Sequence, residues 1–115
     1  MAIEWSEDIV ICDLTEEPEL SEEMQDLTAR LQQQAADSKI PNVVLNLASI
    51  SYLNSSNLAQ LLRLRKLLIE QGGRMKLASV ADPVWSIMLL TGLDKVFQFA
   101  PDKATAIASL QLEQG

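Results

Sequence analysis

Asn54-Ser55-Ser56-Asn57 is the stretch of this 115-residue chain whose side chains could do chemistry. Two adjacent hydroxyls stand between two amides, just before the run Leu58-Ala59-Gln60-Leu61-Leu62. Upstream, Val43-Val44-Leu45-Asn46-Leu47 is apolar and reads as a buried strand. The serine pair therefore falls at a helix mouth, where Asn54 or Ser55 caps the free N–H groups of the first turn. The same place suits an anion, because a helix N-terminus offers N–H donors and a partial positive charge. A phosphoryl group on Ser55 would add about -1.5 to -2 charge there, with several acceptor oxygens. The helix can accommodate that charge, whereas a partner docked on the same surface would feel it strongly. Such an arrangement is a modification switch on a binding module.

Little else in the chain is reactive. There is no histidine, which removes Ser-His-Asp and Cys-His catalysis and the commonest transition-metal ligand. Cys12 is the single cysteine, so it forms no internal disulfide; within Ile9-Val10-Ile11-Cys12 it reads as core packing. That usage fits a reducing compartment. Gly72-Gly73-Arg74 is not a phosphate loop, and no dinucleotide pattern is present. The acidic residues from Glu16 to Glu23 lack the alternating spacing of a calcium loop and read as a solvated loop and helix start. No two groups stand out as acid and base. The expectation is a protein without catalytic activity, cofactor or metal.

Sixteen Asp and Glu oppose nine Lys and Arg, giving a net charge of -7. This argues against nucleic acid or an anionic membrane surface as a partner. No basic-then-apolar leader opens the chain, and no apolar stretch approaches the ~20 residues of a membrane span. A cytoplasmic location is expected.

The elements that must position the serines follow from periodicity. Residues 2–6 and 9–14 read as an N-terminal hairpin. Ser21 reads as the N-cap of a helix in which Met24, Leu27 and Leu31 recur at spacings of three and four, ending near residues 36–38. The strand 43–47 follows, expected to be central, then a helix from Ser55 to Gln71 that stops at Gly72-Gly73. A strand over 74–80 leads to Asp82-Pro83, read as a cap and first helical residue, and a helix ending at Gly92. A short strand over 96–99 precedes a last helix that Pro101-Asp102 opens and that runs to about Leu110, with the residues beyond expected to fray. The order β-β-α-β-α-β-α-β-α implies an α/β fold with a mostly parallel mixed sheet, and 115 residues suit one domain over 1–115.

On the helix after the serines, most leucines fit core packing. Leu67 lies opposite Leu58 at about 100° per residue, so the two cannot share one inner face. It either packs under a neighbouring helix or stands exposed for a partner. Arg63, Arg65 and Lys66 form a basic cluster on an otherwise acidic chain. It is either a solvated face or a contact for an acidic partner.

The segment from Val43 to Gly73, with its Ser-Tyr-Leu-Asn-Ser-Ser-Asn-Leu turn, leucine helix and Gly-Gly stop, resembles the STAS domain of bacterial anti-sigma-factor antagonists. Ser79-Val80-Ala81-Asp82-Pro83-Val84 and Leu90-Thr91-Gly92-Leu93-Asp94-Lys95-Val96-Phe97 resemble the last helix-strand-helix section of that family. The resemblance implies a mechanism. Such antagonists bind an anti-sigma factor that is usually also a serine kinase of the histidine-kinase-like ATPase type. The unphosphorylated antagonist captures it and frees the sigma factor; phosphorylation ejects the antagonist, and a phosphatase restores it.

The family turn is typically Asp-Ser-Ser/Thr-Gly, with the first hydroxyl phosphorylated, a role that falls on Ser55; Ser56 matches the second hydroxyl. Asn54 stands where the family has Asp, and Asn57 where it has Gly. Asn54 keeps a capping oxygen without the charge, and Asn57 adds bulk beside the acceptor. Asn54, Ser56, Asn57, Arg63 and Leu67 are the expected partner-binding residues. An alternative is a constitutive STAS subunit of a stressosome-like or lipid-transport ATPase complex, which the two asparagines motivate. A nucleotide or small-ligand binder is a third class, from the anion preference of helix N-termini.

Overall fold

Ala2–Ser6 (β1) and Ile9–Asp13 (β2) form the expected antiparallel hairpin in the computed structural model, which describes residues 1–37 and 39–114. Glu7 takes a left-handed φ of 56° in the turn. Glu19–Ala36 (α1) crosses to Asn42–Asn46 (β3), and Ser55–Glu70 (α2) crosses to Met75–Ala78 (β4). Asp82–Thr91 (α3) and a 3-10 turn, Leu93–Lys95, lead to Gln98–Ala100 (β5), and Lys103–Gln114 (α4) ends the described chain. The sheet order is β1-β2-β3-β4-β5, parallel throughout except for β1. β3 is central, as expected.

Strand alternation sorts the core into two layers. Val10 and Cys12 of β2, with Val43 and Leu45 of β3, face Leu27, Leu31, Leu61, Leu64, Leu68, Val84 and Met88 of α1, α2 and α3. Ile9, Ile11 and Val44 face the other way, onto Ala106 and Leu110 of α4. Both faces of β2 and β3 are thus covered, which is why these strands are continuously apolar. Cys12 is fully buried. Burial pushes its thiol up to about 12, with the neighbouring Asp13 charge adding to the effect, so at neutral pH it is an unreactive thiol.

Several boundaries differ from the pattern, each for a local reason. Ser21 is not the cap of α1. The helix begins at Glu19, and Pro18 at its N-cap position supplies no capping side chain. Glu17 does the work instead: its carboxylate accepts from the Ser21 N–H at 2.7 Å and from Ser21 Oγ at 2.6 Å. Asp82 is inside α3 rather than capping it, with Ala81 at the N-cap position. The fourth strand is shorter than 74–80 because Ser79 turns left-handed at φ 59°. The fifth begins two residues late, because the Val96 and Phe97 N–H groups close turns onto the Leu93 carbonyl. Asp102 caps the last helix through the Thr105 N–H at 2.7 Å, and the helix continues to Gln114 rather than fraying after Leu110. Gly92 ends α3 at φ 74°, as its position predicts. Ser38, within the expected end of α1, and Gly115, in the expected frayed tail, lie outside the described residues.

Candidate functional site at the mouth of the second long helix

Parallel connection places the end of β3, the start of α2 and the β2–α1 loop at one end of the sheet. Asn46 Nδ2 donates to Asp13 Oδ1 at 2.7 Å and ties the ends of β2 and β3 together. The chain then turns through residues 47–54, with Leu47, Ile50 and Leu53 anchored in the core and Tyr52 standing 64% exposed.

Asn54 is the N-cap of α2, in extended conformation. Its Oδ1 accepts from the Asn57 N–H at 2.8 Å, and Asn57 Oδ1 accepts from the Asn54 N–H at 3.1 Å. This reciprocal pair is a capping box in which asparagine fills the place of the usual Glu or Gln. Ser55 and Ser56, as the first two helical residues, are both exposed. Asn57 is 1% exposed. Its side chain turns inward, so it leaves the approach to Ser55 open, and it offers a partner no surface. Sequence comparison with the family motif suggests bulk at this position; the fold converts that bulk into a cap.

Two carboxylates reach this mouth from the β2–α1 loop. Glu16 accepts from both the N–H and the hydroxyl of Ser51. Glu17 Oε2 lies 3.4 Å from Asn57 Nδ2, which donates to it. The two loops are strapped together through residues 35 and 40 positions apart in the chain. Nothing in the local spacing of Glu16 and Glu17 announces this role, which is why the sequence reads them as a solvated loop.

The Ser51 hydroxyl and N–H hold Glu16 below the ordinary carboxylate value of 4.5, and the Ser21 hydroxyl and N–H do the same for Glu17. A value lowered in the folded chain means that the unfolded chain binds the proton more tightly. The strap's contribution to stability is therefore complete above pH 4.5 and is lost as the pH falls through the lower folded values. We expect the Ser51 amide proton resonance to titrate with a midpoint below 4.5, and Glu16→Gln to abolish that titration. An acid titration followed by two-dimensional NMR checks both; a midpoint at or above 4.5 contradicts the strap.

Further along α2, Arg63 is exposed beside α1, where it lines a 170 Å³ cleft with Gln25, Thr28, Gln32 and Gln60. Gln60 donates from Nε2 to the Ser21 carbonyl at 3.2 Å, while its Oε1 is sealed and unpartnered among the described residues. Leu67 is half-buried and packs against the core. Of its two expected placements, the packed one fits this half-burial better than the exposed one. Leu58 packs on the same core from the opposite flank of α2. The structure thus brings Asn54, Ser55, Ser56 and Asn57 together at the mouth and leaves Arg63 about two turns away and Leu67 about three.

The model of the STAS domain matches residues 6–106. The chain belongs to the STAS domain family. An anti-sigma F factor antagonist of Paenibacillus polymyxa is 28% identical over 71 residues. The matched stretch covers 62% of this chain and 61% of that relative. An anti-sigma-factor antagonist (STAS) domain protein from Planctomyces limnophilus shares the fold with a TM-score of 0.80 at 18% identity, over 96% of this chain and 97% of its own. A chain of the stressosome, described as a signal integration and transduction hub, aligns with a TM-score of 0.77 at 14% identity, over 98% of each chain. At these identities the likeness is one of fold. No helix among the described residues is long and apolar enough to cross a membrane.

Proposed function

We propose that this STAS protein is an anti-sigma-factor antagonist. It is a non-enzymatic binding domain that captures an anti-sigma factor with serine-kinase activity. Phosphorylation of Ser55 ejects it, and a phosphatase restores it. The observation that carries the reading is the placement of Ser55: an exposed hydroxyl on the first residue of α2, beside a cap that Asn54 forms with the buried Asn57. The family and the antagonist relative from Paenibacillus polymyxa support it. A phosphoryl group here meets the positive end of the helix, so the fold survives while the docking surface changes sign. Asn54 and Ser56 flank the acceptor and meet the partner directly; Asn57 acts through the cap.

Incubation with the cognate anti-sigma kinase and ATP, followed by mass spectrometry, tests the switch. We expect one phosphate on Ser55, none on Ser55→Ala, and at least about tenfold weaker capture by Ser55→Asp with an unchanged melting temperature. An unmodified Ser55 together with undiminished capture by Ser55→Asp would falsify it. A second reading, a constitutive subunit of a stressosome-like or lipid-transport ATPase assembly, is favoured by the uncharged Asn54 cap in the acceptor turn. Recovery of scaffold or transporter subunits, with no anti-sigma factor, is its signature.

A further inference from the structure

Nine basic residues serve this acidic chain. Arg30, Arg74, Lys76 and Lys103 are in ion pairs, with Asp26, Glu113, Glu113 again, and Glu4 with Asp13. Among the described residues the other five have no such partner; Lys39 and Lys95 stand apart, while Arg63, Arg65 and Lys66 are clustered on α2. Their neighbours explain why. The side of α1 next to Arg63 presents Gln25, Thr28 and Gln32, which are uncharged. Two acids of α1 are already engaged, Asp26 with Arg30 on its own helix at 3.0 Å and Glu23 with the Met1 ammonium at 2.9 Å. α2 therefore carries three cations against one acid, the exposed Glu70 at its end, a net positive helix in a chain whose net charge is -7.

The same helix leaves large aliphatic side chains in solvent. Leu62 is 38% and Ile69 53% exposed. At about 100° per residue, Ser55, Ala59, Leu62, Lys66 and Ile69 share the outward line of α2, with Arg63 on the flank toward α1. Leu62 and Ile69 repeat at an interval of seven, the spacing with which one helix meets another. The line from Ser55 to Ile69 is ~21 Å long at about 1.5 Å per residue.

We propose that the outward face of α2 is a seat for an acidic amphipathic helix of a protein partner. Apolar residues of that helix cover Leu62 and Ile69, and its carboxylates meet Arg63 and Lys66. Charge complementarity selects the occupant. Nucleic acids and anionic membranes are polyanions that the whole chain repels, whereas a single acidic helix meets only the local positive face. The seat deepens the proposed function by stating what the captured partner offers. It also gives the phosphate a reason to act: about two negative charges at Ser55 oppose the field of Lys66 on the line and Arg63 on its flank, and repel the carboxylates of the partner.

The test uses the full chain, isotope-labelled, and an acetylated Leu/Glu peptide of helical period about five turns long. Amide shifts are expected at Leu62, Arg63, Lys66 and Ile69. The double variant Arg63→Glu/Lys66→Glu should bind about tenfold or more weakly. It should also bind the matching Leu/Lys peptide at this face, where the natural chain shows no shifts with that peptide. These are exposed positions, and an unchanged circular dichroism spectrum confirms that the variant is folded. The seat is overturned by absence of shifts on α2 at the solubility limit of the peptide, by binding that ignores charge reversal, or by duplex DNA or phosphatidylglycerol vesicles occupying the face instead. Its failure would leave phosphorylation of Ser55 untouched. An unphosphorylated Ser55 would likewise leave the peptide bound, so the two outcomes separate the seat from the switch.

Discussion

Leu67→Asp lowers the unfolding free energy by about 2–4 kcal/mol, with a fall in melting temperature of roughly 10 °C. Leu67 packs against the cluster that contains Leu64 and Leu68, both fully buried. A carboxylate there surrenders apolar burial and is itself partly desolvated, and the two costs add. Ile69→Asp is the control. It lies two positions on, has similar chemistry and is 53% exposed, so a change within about 0.5 kcal/mol is expected. Urea denaturation of both variants checks the contrast. Equal, small effects would return Leu67 to the surface and reopen it as a contact residue.

The second large effect belongs to the capping box. Asn54→Ala and Asn57→Ala should each cost about 1–2 kcal/mol, because each strips a first-turn or cap N–H of its acceptor. The double variant should cost less than their sum, since either change alone already breaks the reciprocal pair. Asn57→Gly, which restores the usual family residue, should be the most damaging single change at position 57. It removes the same hydrogen bonds, the contact with Glu17 and the buried side-chain volume, and it adds backbone freedom inside a helix. Thermal unfolding of the four chains supplies the cycle. Additive losses would mean that the two amides act independently and that the box has no cooperative role.

Both predictions concern residues whose types are plain in the sequence but whose roles are not. Helical periodicity places Leu58 and Leu67 on opposite flanks of α2 and leaves the fate of Leu67 open, because a helix wheel contains no neighbour. Its packing against the main core decided it. Asn57 departs from the family pattern, which makes it look like an obstruction beside Ser55. Its inward rotation into the capping box becomes visible only when the loop ending at Asn54 is in place. The helix starts were misread where a side chain from just outside the helix took over the capping, as Glu17 did for α1. Spacing rules assign capping to the residue at the boundary and cannot see that substitution.

By itself the sequence determined the element order, the parallel core strands and the location of the serine pair at a helix mouth. Strand and helix periodicities and the Gly and Pro stops are local properties, legible within a few residues. Tertiary structure alone decided which charges are spent and which are left over. Glu16 and Glu17 join the acceptor turn across 35 and 40 residues, while Arg63, Arg65 and Lys66 enter no ion pair among the described residues. Pairing depends on distance in space, and the chain's net charge of -7 carries no information about where its positive face lies.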